Sequence, residues 1–183
     1  MILKYYQINS GDLKNNKIFL FYGNNDGHKN EVIQNLTQYN KNRISYEESE
    51  ILDKSKNFIE SLLNKSLFEK EKIIIIKRVT DKIIRLVEEI EKKNISDILI
   101  ILNANHLEKK SKLRSFFEKS RNYSCVAFYP DDEQTLSKLA YNFFREKKIS
   151  ISNSYINLII SKCNKDRGKL KNELKKLENF SKG

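Results

Sequence analysis

Four consecutive isoleucines, Ile73-Ile74-Ile75-Ile76, lie between Lys72 and Lys77 and constrain the fold more than any other feature of the chain. The run is too short and too rich in β-branched residues to form a helix of its own. A strand that is apolar at every position must be covered on both faces, which is typical of a parallel sheet with helices on each side. The run therefore predicts a buried strand over 72–77.

Further apolar runs predict four more strands, and apolar residues at helical spacing lie between them. The predicted strands are 18–22, 43–46, 72–77, 97–102 and 123–128, the last stopped by Pro130. The predicted helices are 28–39, a segment around Phe58–Leu63, 81–93 and 109–120. Because strand and helix alternate five times, we predict an α/β fold with a five-stranded parallel sheet flanked by helices.

The pattern changes after Pro130. Three amphipathic helices are predicted, around 136–144, 151–159 and 170–177, and no strand is predicted after Phe128. We therefore place a domain boundary near Asp131, with an α/β domain over 1–130 and a small helical domain over 131–183.

Composition excludes several classes of protein. The 183 residues include only five Gly, one Pro and two Cys, which excludes collagen-like chains, disulfide scaffolds and four-cysteine zinc sites. No apolar run approaches the roughly 20 residues that span a bilayer, and no signal-peptide core is present, so we expect a cytosolic protein without a membrane partner. The net charge of +11 favours a nucleic-acid partner without establishing one, since a lysine-rich solvated surface gives the same balance.

The turn after the first long strand looks like a phosphate-binding loop that has lost its chemistry. A working loop has the pattern G-x-x-x-x-G-K-[ST], in which Lys neutralises phosphates and the hydroxyl holds Mg²⁺. Here only three residues separate Gly23 from Gly27, His28 separates Gly27 from Lys29, and Asn30 replaces the hydroxyl. Asp26 adds negative charge where phosphates would lie. We therefore expect an ordinary turn and helix start that binds no nucleotide.

Other sources of catalysis are also weak. Nucleotide hydrolysis needs a carboxylate at the end of a buried strand, but the central strands end in Lys77-Arg78 and in Asn103. His28 and His106 are isolated and are interpreted as surface or turn residues. Cys125 is interpreted as core, and Cys163 lies near two lysines that could lower its pKa. We expect no catalytic residue, no metal site and no cofactor.

Leu67 and Phe68 are an apolar pair within the charged segment 64–71. They could end a helix and pack under the sheet. Alternatively, they could be exposed, as an anchor for a pocket on another protein.

Four stretches occur in an order and spacing that are specific together, although each is weak alone. They are Ile18–Gly23, Ser66-Leu67-Phe68 followed by Lys72–Lys77, Leu107–Arg114, and Asn164–Leu177. In this arrangement the chain resembles the delta subunits of bacterial DNA polymerase III, the clamp-loader subunits that open the sliding clamp. The resemblance implies an AAA+-like domain with a degenerate phosphate loop, a three-helix lid and a C-terminal collar domain. The chain stops at Gly183, so the collar is expected to be absent.

The resemblance also implies a mechanism. Ser66, Leu67 and Phe68 would form the clamp-binding segment, with Leu67 and Phe68 inserted into a hydrophobic pocket of the clamp to favour the open ring. The chain itself would hydrolyse no ATP, although it would belong to a DNA-directed DNA polymerase complex in the cytoplasmic replisome. Its partners would be the sliding clamp, the other loader subunits, whose assembly needs the collar, and DNA, bound weakly and without sequence preference.

Two other functions stay open on the sequence. One is an AAA+-type or P-loop ATPase, which would bind and hydrolyse ATP. The other is a basic DNA-binding module that uses the helical-domain residues Lys165, Arg167, Lys169 and Lys171. These side chains could equally form a solvated face.

Overall fold

A computed structural model describes residues 2–8, 18–37, 42–63, 72–93, 95 and 98–181. Within them, six strands form one sheet: β1 Ile2–Leu3, β2 Ile18–Tyr22, β3 Arg43–Glu47, β4 Lys72–Lys77, β5 Ile98–Asn103 and β6 Ser124–Ala127. Their order across the sheet is β1-β6-β2-β5-β4-β3, and every neighbouring pair is parallel. The predicted α/β fold with a parallel sheet is therefore confirmed.

The number of strands is one greater than predicted. β1 has only two residues, Ile2 and Leu3, which pair with Cys125 and Val126 of β6. Two residues are too few to show a period of apolar side chains, so this strand is recognised only by its hydrogen-bonded pairing with β6. The five predicted strands are all present.

The described residues form eight α-helices: α1 Asp26–Thr37, α2 Glu48–Asp53, α3 Ser55–Leu63, α4 Ile84–Lys92, α5 Lys112–Lys119, α6 Glu133–Glu146, α7 Asn153–Lys162 and α8 Arg167–Ser181. Short 3-10 helices cover Tyr5–Gln7 and Asp81–Ile83. α2 was not predicted from the sequence, because its six residues contribute only Ile51 as a buried apolar side chain. None of the described helices is both long and apolar enough to cross a membrane.

The isoleucine run divides between two hydrophobic cores because successive side chains of a strand point to opposite faces. Ile74 and Ile76 pack in the core that α2, α3, α4 and α5 cover, whereas Ile73 and Ile75 pack in the core that contains Ile33 of α1. All four side chains are at most 4% exposed. Helices therefore cover both faces of β4, as a continuously apolar strand requires.

The chain divides into two compact units. The sheet unit comprises Met1–Gly23 and Val32–Phe128, and the helical unit comprises Asn24–Glu31 and Tyr129–Gly183. The helical unit has its own core, formed by Leu136, Ala140, Phe144, Ile156, Ile160, Cys163, Leu170 and Leu174. It also contains the first turns of α1, which were predicted to belong to the α/β domain. The proposed domain boundary near Asp131 stays a prediction.

Candidate functional site

Gly23, the first glycine of the degenerate loop, is required by the backbone of the sheet unit. It follows β2 directly, has a φ of +123°, and donates its N–H to the carbonyl oxygen of Asn105 at 3.0 Å. A Cβ on Gly23 would lie 2.2 Å from the carbonyl oxygen of Phe128. Both the left-handed conformation and this close approach exclude a side chain. The glycine thus has a structural role that needs no phosphate.

The start of α1, in the helical unit, is capped by a side chain. Asn25 precedes the helix, and its Oδ1 accepts the N–H of His28 at 3.0 Å. Its Nδ2 donates to the carbonyl oxygen of Tyr129 at 2.9 Å and to Oδ2 of Asp131 at 2.8 Å. In a phosphate loop, the N–H groups at a helix start are left for the phosphates. Here Asn25, which is 6% exposed, takes one of them.

Lys29 is fully buried, and its charge is paired within the chain. Its Nζ lies 2.8 Å from Oδ1 of Asp26, one turn earlier in α1. Asp26 is therefore the partner of the lysine that a phosphate loop would use to neutralise phosphates. A bound phosphate would have to compete with this carboxylate.

Gly27 is also explained by packing. A Cβ on Gly27 would lie 2.5 Å from the backbone nitrogen of Gly168 and 2.9 Å from its Cα. The first turns of α1 and α8 therefore approach backbone to backbone at this point of the helical unit. The glycine permits helix packing, and no phosphate is needed to account for it.

Arg167 is the centre of an ion-pair cluster in the helical unit. Its Nε lies 3.0 Å from Oε2 of Glu31, and its Nη1 lies 2.8 Å from Oδ1 of Asp131. Lys171 lies one turn further along α8 and pairs with Oε1 of Glu31 at 2.7 Å. The side chains of Arg167 and Asp131 are 11% and 7% exposed, so both charges are shielded from water. With Asn25 bound to Asp131, the cluster joins α1, α8 and the residues before α6.

The cluster shifts the pKa values of two groups in α1. Burial raises the pKa of Glu31, but the hydrogen bond from Lys171 and the charge of Arg167 outweigh it, so the pKa of Glu31 lies below its ordinary value. Burial and the Arg167 charge both lower the pKa of His28 from 6.5. His28 is 7% exposed, which corrects its interpretation as a surface or turn residue. The neutral imidazole is favoured because His28 is buried and because a guanidinium already lies in the site.

The four basic residues predicted to face DNA differ in their surroundings. Lys165 pairs with Glu133 at 2.8 Å, with both side chains more than half exposed. Arg167 and Lys171 belong to the buried or half-buried cluster described above. Lys169 is exposed, and its backbone N–H binds Oδ1 of Asp166. Of the four, Lys169 alone makes no ion pair with another described residue, so most of the predicted positive patch is neutralised by neighbouring acids.

The carboxyl ends of the central strands present basic and amide side chains. Lys77 ends β4 beside Asn103, which ends β5. Arg78 follows with a φ of 56° and pairs with Glu47 at 2.9 Å. Asp81, in the 3-10 helix that follows β4, accepts hydrogen bonds from Ser111 Oγ and from two backbone N–H groups at the start of α5. Over the described residues, no group of three or more His, Cys, Asp or Glu could hold a metal ion.

Both cysteines are buried, and neither is activated. Burial raises the pKa of Cys125 to about 11, in agreement with its prediction as a core residue. The prediction that lysines lower the pKa of Cys163 is wrong, because burial raises it and Glu173 and Asp166 add to that shift. A thiol with a raised pKa is a poor nucleophile at neutral pH.

The proposed clamp-binding residues Ser66, Leu67 and Phe68 lie outside the described residues. On one side, α3 ends with buried Leu62 and half-exposed Leu63. On the other side, β4 begins at Lys72.

The residues that bind the groups of the degenerate loop were not predicted from the sequence. Asn directly before a helix is a common N-cap, so the role of Asn25 could have been predicted from its position. Glu31 and Asp131 carry no such signal. Their partner Arg167 lies 136 and 36 positions away along the chain, and folding alone brings the three together.

Comparisons with known proteins give a fold but no family. No protein-family model matches the chain, and a search of curated protein sequences finds no match. Among solved structures, the chain is similar to the Bacillus subtilis DNA clamp loader delta protein YqeN, with a TM-score of 0.60 and 14% identity over 93% of this chain and 55% of that chain.

Two further solved structures have similar folds. The Walker-type ATPase PABY2304 of Pyrococcus abyssi aligns with a TM-score of 0.53 and 15% identity, over 87% of this chain and 62% of that chain. Domain III of the Thermotoga maritima replication initiation protein DnaA aligns with a TM-score of 0.54 and 14% identity, over 97% of this chain and 82% of that chain. The chain spans about half the length of the Bacillus subtilis protein. These likenesses show that the chain has an AAA+-like fold of parallel sheet and flanking helices.

Proposed function

We propose that the chain is a clamp-loader subunit of the delta type, which binds a bacterial sliding clamp and favours its open ring without hydrolysing ATP. The proposal rests on one observation. The chain has an AAA+-like fold, and the residues of its degenerate phosphate loop are engaged by other residues of the same chain. Asn25 caps α1, Asp26 pairs with Lys29, and Gly27 packs against Gly168. In such a fold, the remaining role is binding to other macromolecules.

The side chains that end the two central strands, β4 and β5, support the same conclusion. The ends of β4 and β5 carry Lys77 and Asn103, where an ATPase needs an acid to hold Mg²⁺ and orient water. The nearby acid Asp81 instead caps α5. The similarity to the Bacillus subtilis clamp loader delta protein then favours a role in clamp loading over that of an ATPase.

Leu67 and Phe68 supply the proposed contact with the clamp. Burying each side chain in an apolar pocket contributes roughly 1.5–3 kcal/mol before the cost of ordering the segment. A binder can open a ring only through a higher affinity for the open state than for the closed state. We therefore propose that the pocket on the clamp accepts this pair better when the ring is open. Assembly with other loader subunits in the cytoplasmic replisome is part of the same proposal.

The test is clamp binding by surface plasmon resonance with the full chain and a purified bacterial sliding clamp. We expect measurable binding that is lost when Leu67→Ala and Phe68→Ala are combined. The matched control combines Tyr155→Ala and Leu158→Ala, two exposed apolar side chains of α7, and should bind normally. Absence of clamp binding by the wild-type chain, or binding that survives the Leu67 and Phe68 changes, would contradict the proposal.

A basic DNA-binding module is the second candidate, and the ion pairs argue against it. Arg167 and Lys171 are paired with acids in the helical unit, and Lys165 is paired with Glu133. A paired lysine has less to gain from a phosphate, because it must first leave its carboxylate. DNA binding by the chain alone should therefore be weak and should disappear by about 200 mM salt. Sequence-specific binding that persists at this salt concentration would favour the second candidate instead.

A further inference from the structure

A groove of about 780 Å³ runs along α7 and α8 in the helical unit. On α8, Lys169, Glu173 and Lys176 lie three or four residues apart and therefore share one face of the helix. Ile159 and Lys162 line the groove from α7. The volume lies within the range of sites that bind small ligands or anchor side chains of a partner.

The groove is strongly basic. Four lysines line it, Lys162, Lys169, Lys175 and Lys176, against one acid, Glu173. Lys176 pairs with Glu173 at 2.6 Å, which neutralises that acid. The other three lysines make no ion pair with any residue in the described part of the chain. The groove therefore presents about three uncompensated positive charges.

The groove also has apolar walls. Leu177 is 39% exposed, Ile159 is half-buried, and buried Cys163 lies beside them. Partly exposed apolar side chains gain free energy when a partner removes them from water. The described lining includes no aromatic side chain on which a nucleobase could stack.

We propose that this groove binds an acidic amphipathic segment of a protein partner, whose carboxylates meet the lysines and whose apolar side chains contact Ile159 and Leu177. The positive charge of the groove favours an acidic ligand. The apolar walls favour a peptide over a nucleic acid, because a nucleic acid would leave Ile159 and Leu177 without an apolar partner. An amphipathic helix with anchors at every third or fourth residue fits the spacing along α8. This proposal stands apart from clamp binding, which rests on Leu67 and Phe68.

The test is selection from a displayed library of random peptides of about 12 residues against the full wild-type chain. We expect enrichment of peptides that combine several Asp or Glu with Leu, Ile or Phe. The affinity of a selected peptide, measured by fluorescence anisotropy, should fall about tenfold or more when Lys169→Glu and Lys175→Glu are combined. The matched control combines Lys109→Glu and Lys138→Glu, two exposed lysines outside the groove, and should bind within about twofold of wild type.

Three results would overturn the proposal. One is a selection that yields no peptide or no acidic bias. Another is a peptide affinity that falls by the same factor in the groove variant and in the control variant. The third is a labelled oligonucleotide that binds more tightly than any selected peptide and is lost with Lys169→Glu and Lys175→Glu, which would make the groove a phosphate site. Circular dichroism melting of each variant confirms that the exposed substitutions leave the fold intact.

Discussion

Gly27 of α1 and Gly168 of α8 approach so closely that a Cβ on Gly27 would lie 2.5 Å from the backbone nitrogen of Gly168. The relationship is not symmetrical. A Cβ on Gly168 would meet Asp166 Oδ1 at 3.3 Å and the Cα of Gly27 at 3.6 Å, which a small side-chain shift accommodates. Two glycines that face each other in the helical unit therefore differ in their tolerance of a methyl group.

Gly27→Ala should destabilise the protein by about 1–3 kcal/mol, since backbone atoms of α8 must move to admit the methyl group. Gly168→Ala is the matched control and should be neutral or stabilising by up to about 1 kcal/mol, because Ala favours a helix over Gly. The unfolding free energies of both variants can be measured by urea unfolding monitored by circular dichroism. Equal effects of the two changes would mean that the close approach does not constrain Gly27.

Arg167→Gln should cost about 3 kcal/mol, because it leaves the shielded carboxylate of Asp131 without its cation. Lys165→Gln removes a cation from an exposed pair with Glu133 and should cost less than about 1 kcal/mol. The midpoint of thermal unfolding distinguishes the two. Similar midpoints would show that the Arg167 cluster contributes no more than a surface pair.

His28 should make stability depend on pH. Its pKa in the folded chain is lowered from 6.5 by burial and by Arg167, with Lys171 adding to the effect and Asp131 and Glu31 opposing it. The unfolded chain therefore binds more protons than the folded chain as the pH falls below 6.5, so the unfolding free energy should decrease from about pH 7 to about pH 5. His28→Gln should flatten this decrease. Parallel pH profiles for the two proteins would contradict the assignment.

Mg-ATP should not bind the chain at micromolar concentrations. The Asn25 cap and the Asp26–Lys29 pair occupy the groups that phosphates need, and the central strands β4 and β5 end in Lys77 and Asn103, neither of which is an acid that could hold Mg²⁺. Isothermal titration should show no saturable heat, and the melting temperature should not change with added nucleotide. A stoichiometric binding site in the titration would restore the ATPase as the favoured function.

If Leu67 and Phe68 are exposed as proposed, the combined Leu67→Ala and Phe68→Ala variant should keep its stability within about 1 kcal/mol of wild type, since exposed side chains contribute little core packing. If the pair is instead core, each truncation costs roughly 2–5 kcal/mol. Thermal unfolding by circular dichroism separates the two cases. A strongly lowered melting temperature would identify Leu67 and Phe68 as core residues and remove them from the proposed interface.

Much of the sheet unit could be predicted from local pattern. Ile73–Ile76 is apolar at every position, and only a strand covered on both faces buries all four side chains. β1 and α2 were missed because each is too short to show a period, and each is held by its neighbours. His28 and Cys163 were misjudged for a related reason, since burial depends on which elements pack over a residue.

The sequence by itself determined that the phosphate loop departs from a working one, because glycine spacing and the residue after Lys29 are local facts. Only the tertiary structure decided what occupies it. Gly27 meets Gly168 from the far end of the chain, and Arg167 meets Glu31 and Asp131, which lie 136 and 36 positions before it. Short-range patterns record the conformational preferences of neighbouring residues. The pairing of distant charges depends on packing free energy summed over the whole helical unit, and no local pattern contains that sum.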